Sequence, residues 1–232
     1  IKNDDLIRRF VPDLKSFETI TLYGNFDADS RRLEVNGSIP QLLYGENTVE
    51  DASLLITNEN RALQVRMDVA TLQSESFALN KINISGDVAD NTIQYSVTTK
   101  DEKDVTQYLI AGTAASVSSA TEIALNTDGL KLNYNDWTVA PDNKIIIGEQ
   151  GIFADNFRIS NAGSEILLQS ESMAGNSPLN VSLKDFKIET LTEIIRKDSL
   201  LAQGTINGTA QLRNLNSNMT FVSDLDITNL LV

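Results

Sequence analysis

From residue 18 onward, apolar and polar positions alternate along most of the chain. In Ala62–Val69, residues Leu63, Val65, Met67 and Val69 fall on one side of an extended chain. Gln64, Arg66 and Asp68 fall on the other. A strand buried on one face only has this pattern. It recurs at short spacing in Thr19–Phe26, Arg32–Val35, Ser53–Thr57, Leu63–Val69, Phe77–Leu79, Ile82–Val88 and Ile93–Thr98. It continues through Tyr108–Val117, Glu122–Leu125, Leu130–Tyr134, Ile145–Ile147, Phe157–Ser160, Glu165–Ser170, Leu179–Ile188, Gly204–Leu212 and Met219–Ile227. Asn, Asp, Ser and Gly separate these runs, and Asn36-Gly37 and Asp128-Gly129 read as tight turns. The pattern predicts an all-β, mainly antiparallel fold whose sheet has one apolar and one wet face.

Two segments break the alternation. Leu6, Ile7, Phe10, Val11 and Leu14 share a helical face, with Asn3 as cap and Asp4 and Asp5 at the positive end. A leading helix is therefore expected within residues 1–17, broken or kinked near Val11 by Pro12. Thr190-Leu191-Thr192-Glu193 is a capping-box pattern and predicts a short helix over 190–197. No linker rich in Pro, Gly or Ser marks a boundary, so residues 1–232 read as one β segment.

Composition narrows the chemistry. The net charge of −13 disfavours nucleic acid, which needs clustered Lys and Arg. It also disfavours docking on an anionic membrane surface. With no cysteine there is no disulfide, thiol or thiolate chemistry. With no histidine, the commonest general base and metal ligand is missing. No Gly-x-Ser-x-Gly elbow or phosphate-cradling glycine loop occurs. The expectation is a protein that is not an enzyme and needs no cofactor. The abrupt start at Ile1 and the terminal Leu230-Leu231-Val232 read as a segment excised from a longer chain.

Several local motifs have a bland and a functional reading. Asn25-Phe26-Asp27-Ala28-Asp29-Ser30 imitates the start of a calcium loop, but Ser30 replaces the required Gly, and a hairpin loop is favoured. Asp101, Glu102 and Asp104 are a charge run, which a loop ordinarily solvates. Trp137 with Tyr134 reads either as a sugar-stacking platform or as a cap on the sheet, the cap being favoured. Gly204 and Gly208 share one face of a strand. Either they let another element, the 190–197 helix, approach closely, or Asn207-Gly208 is a turn.

The run Leu179–Ile188, the helix Thr190–Lys197 and the Gly204-Thr-Ile-Asn-Gly208 strand together resemble a signature of the TamB and AsmA-like proteins. Phe10-Val11-Pro12-Asp13-Leu14 leading to Tyr23-Gly24-Asn25-Phe26 is similar to the start of a repeat in that group. The resemblance implies an elongated sheet curled into a taco-shaped trough with an apolar interior. It also implies a periplasmic location within an inner-membrane-anchored protein, and a part in lipid transport or outer-membrane protein assembly. The implied partners are lipid acyl chains or nascent outer-membrane β-strands, and an outer-membrane BamA- or TamA-like protein. Period-2 placement nominates Val65, Met67, Ile82, Ile84, Ile93, Tyr95, Leu130, Leu132, Ile166, Leu168, Val181, Leu183 and Ile206 as one continuous groove lining. The competing readings are a structural or adhesive β-solenoid or sandwich with a closed core, and a carbohydrate-binding module.

Overall fold

A computed structural model describes residues 11–59, 62–75, 77–149, 151–174, 177–192, 202–215 and 218–231. The chain divides into two compact units, residues 1–109 and 110–232. The strands of the first are β1 (Leu14–Phe17), β2 (Thr21–Asp27), β3 (Arg32–Tyr44), β4 (Asn47–Glu59), β5 (Ala62–Gln73), β6 (Ala78–Ala89) and β7 (Thr92–Lys100). Strand β8 (Thr106–Val117) runs across the division. The second unit continues with β9 (Ala120–Leu132), β10 (Asn135–Val139), β11 (Lys144–Gly148), β12 (Gly151–Asp155), β13 (Phe157–Asn161), β14 (Ser164–Ser170) and β15 (Leu179–Lys187). A four-residue helical turn, α1 (Glu189–Thr192), precedes β16 (Gln203–Arg213) and β17 (Thr220–Leu231).

In the first unit, consecutive strands from β2 to β7 pair antiparallel, and β1 pairs with the far end of β3. The leading helix expected over residues 1–17 is not supported. Residues 1–10 lie outside the described residues, and Leu14–Phe17 is β1. Pro12 starts a turn instead: the Leu14 N–H donates to the Val11 carbonyl at 3.0 Å. Proline suits the second position of such a turn, because its φ is already set there. Leu14 and Phe17 are then buried as strand residues beside Tyr44 and Leu42. The 190–197 helix is likewise unsupported at its expected length. Among the described residues the turn Glu189–Thr192 is helical, and residues 193–201 lie outside them.

The strands are longer than the alternation predicts. Phe77–Leu79 and Ile82–Val88 read as two elements, yet Ala78–Ala89 is one strand. The apparent break is a three-step skip, from Leu79 to Ile82. The same skip occurs at Ile39–Leu42, Val49–Ala52 and Val69–Leu72. Register aligns all four. Ile39, Ala52, Val69 and Ile82 form one cross-strand row, and Leu42, Val49, Leu72 and Leu79 form the next. Asp51 and Lys81, between the rows, have φ of 48° and 46°. Positive φ at a non-glycine residue marks a local bend of the strand.

In the second unit, β9 changes partner along its length. Its first residues, Ala120–Ile123, pair with β11, and Leu130–Leu132 pair with β10. β10 pairs onward with β13, and β11 with β12. Asn143 stitches the junction. Its Oδ1 accepts from the Leu125 N–H at 2.8 Å, and its Nδ2 donates to the Leu125 and Ala140 carbonyls at 2.8 and 2.6 Å. Strands β13 to β17 then pair in sequence order.

Three glycine turn signals are in-strand positions. Asn36-Gly37 lies within β3, Asp128-Gly129 within β9 and Asn207-Gly208 within β16. At Gly129 a Cβ would overlap the Ala111 carbonyl oxygen, so this glycine admits a neighbouring backbone rather than turning the chain. Reversals use other residues. Asp90-Asn91 and Asn133-Tyr134 both have positive φ at each position, the geometry of a two-residue hairpin turn.

Candidate functional site

The apolar faces are built row by row. In the first unit, Val65 is beside Ile56 and Gly86, Met67 beside Leu54 and Ile84, and Val69 beside Ala52 and Ile82. Ile84 continues to Val97, Gly86 to Tyr95 and Val88 to Ile93. Val65, Met67, Ile82, Ile84, Ile93 and Tyr95 therefore share one face of one sheet. Ala52, Val69 and Ile82 are its buried centre, packed by Ile39, Val49, Met67, Leu72, Leu79, Ile84 and Val97. Around that centre the face stays partly open: Val65, Met67 and Ile84 are half-buried, and Ile93 is 40% exposed. Burial pushes the Tyr95 hydroxyl above its ordinary value of 10.0.

The opposite face is polar. Glu34, Thr57, Gln64, Asp87 and Gln94 form one of its rows, and Ser38, Ser53, Asp68, Asn83 and Thr98 another. The Asn83 amide donates to Asp68 at 2.8 Å across it.

In the second unit, Ile166 is beside Leu183 and Leu168 beside Val181. Ile206 is beside Phe186. Leu130, Trp137, Val139, Ile159 and Phe186 form the buried cluster, with Leu132, Ile166 and Leu183 packed on it. Leu130, Leu132, Ile166, Leu168, Val181, Leu183 and Ile206 thus share one face of that unit. A bulge at Asp185, φ 44°, keeps Phe186 on the same face as Leu183. Asn207 Oδ1 accepts from the Asp185 N–H at 2.8 Å, and the Ser164 hydroxyl donates to the Asp185 carbonyl at 2.6 Å. Phe221, Leu225 and Ile227 of β17 stand opposite Leu212, Gly208 and Ile206 and extend the face, exposed at 68%, 41% and 47%. Alternation alone places β17 on this face, but the nominated lining stopped at Ile206.

Of the two readings of Gly204 and Gly208, close approach of another element holds and the turn does not. A Cβ at Gly208 would overlap the Asp224 carbonyl oxygen, and one at Gly204 would crowd Thr228 O and Leu230 Cα. The element that both admit is β17, with Ile188 also close to Gly204, while most of the 190–197 helix expected there lies outside the described residues. Their φ values, 134° and 152°, suit glycine alone.

Trp137 is no stacking platform. It is 3% exposed, with its ring 6.3 Å from that of Phe186. The Asp27 loop closes the β2–β3 hairpin: the carboxylate accepts from the Ser30 hydroxyl at 2.6 Å and from the Asp29 N–H at 3.0 Å. The Ser30 hydroxyl and these amides hold the Asp27 carboxyl below its usual value. Asp101 Oδ1 accepts from the Lys103 and Val105 N–H groups at 2.9 Å each, and Asp104 pairs with Lys81 at 2.7 Å. These carboxylates organise a loop. Among the described residues, no cluster of acidic side chains is arranged to hold a metal, and no helix is long and apolar enough to cross a membrane.

No family model matches the chain, and no curated protein or solved structure does either.

Proposed function

We propose that this chain is a non-enzymatic segment of a TamB- or AsmA-like periplasmic protein, and that its apolar sheet faces shield acyl chains in transit between the inner and outer membranes. One observation carries the reading. In the first unit, the apolar rows run in register from β3 to β7 with no charged residue, while the opposite face is polar. Soluble proteins rarely leave contiguous apolar surface open without a use for it. The lining is mostly aliphatic, so it offers burial with few directional contacts. That suits a flexible hydrocarbon, for which each methylene removed from water contributes about 0.8 kcal/mol. Nascent outer-membrane strands are the other cargo of this class. The absence of histidine and cysteine fits a role in shielding rather than chemistry.

The test is photo-crosslinking in cells with probes at Met67 and Leu168, on the apolar faces, and at Arg66 and Gln169, on the polar ones. Acyl adducts at the first pair alone, identified by mass spectrometry, support the reading. Equal labelling at all four, or none in a folded protein, refutes it.

A further inference from the structure

We draw no further inference here: the strongest candidate, the exposed apolar side of β17 formed by Phe221, Leu225 and Ile227 in the second unit, belongs to the face already described, and nothing in the structure shows what covers it.

Discussion

Replacing Asn143 by alanine tests what holds the second unit's sheet together where β9 changes partner. Asn143 is 1% exposed. Its side chain satisfies both backbone groups of Leu125, through bonds of 2.8 Å each. It also donates to the Ala140 carbonyl, which keeps a second donor, the Asn143 N–H at 3.3 Å. Asn143→Ala therefore orphans two backbone groups, the Leu125 N–H and C=O. Each unpaired buried group costs about 1–3 kcal/mol, and a water admitted to the vacated space recovers part of that. The expected loss is about 2–5 kcal/mol, a large share of a typical domain's 5–15 kcal/mol. Urea unfolding read by Trp137 emission reports this unit directly, because Trp137 lies in its buried cluster. Asn143→Asp keeps the acceptor for the Leu125 N–H but sets a carboxylate against two carbonyls, so it should be at least as damaging as alanine. A loss below about 1 kcal/mol for Asn143→Ala, at unchanged urea dependence, would refute the account.

Further outcomes follow from single contacts. Gly208→Ala should cost about 2 kcal/mol or more in the same unfolding assay, since φ is 134° and the added Cβ meets the Asp224 carbonyl. Thr99→Val should stabilise by about 1 kcal/mol, because the Thr99 hydroxyl is buried without a partner and valine has nearly its shape; a loss would reveal a missed partner. The hydrogen bond and charge of Lys81 hold the Asp104 carboxyl below 3.8, so its NMR titration midpoint should lie below that value and rise in Lys81→Met. Because the folded value is the lower one, this pair's contribution is present above the unfolded value and disappears as pH falls through the folded one; at so exposed a site the change should be small.

Much of the fold was legible because a one-sided sheet writes its period into the chain. Val65, Met67, Ile84 and Tyr95 were placed on a common face by alternation alone, and register brings them there. The sequence misled where one residue type has two uses. Gly37 and Gly129 read as turn residues, and Gly208 as either a turn or a point of close approach; all three lie inside strands, and Gly129 and Gly208 admit a neighbouring backbone. Whether a glycine turns the chain or admits a neighbour depends on a strand distant in sequence. Strands β10 (NDWTV) and β12 (GIFAD) were missed because neither holds more than one apolar–polar alternation. Leu130–Tyr134 reads as one strand, yet Asn133-Tyr134 is the turn, and Asn135 and Asp136 already pair back with Leu132 and Lys131. A cavity beside Trp137 was illegible because its lining residues are distant in sequence. Its lining comes from β9 through the turn after β15, and only the β15 bulge at Asp185 brings Phe186 to Trp137.

The three-step skips carry the most information about design. A slip of one position in a single strand would move the rest of its apolar set onto the polar face. Here four adjacent strands slip together, at Ile39–Leu42, Val49–Ala52, Val69–Leu72 and Leu79–Ile82. The sheet bends along that line, through the positive φ of Asp51 and Lys81, while the apolar face passes across it intact. Stability alone does not require such coordination, since ending each strand at the break and starting another would bury similar area. What the aligned skips preserve is continuity of an apolar surface over a bend. The proposed shielding of hydrocarbon would use that continuity.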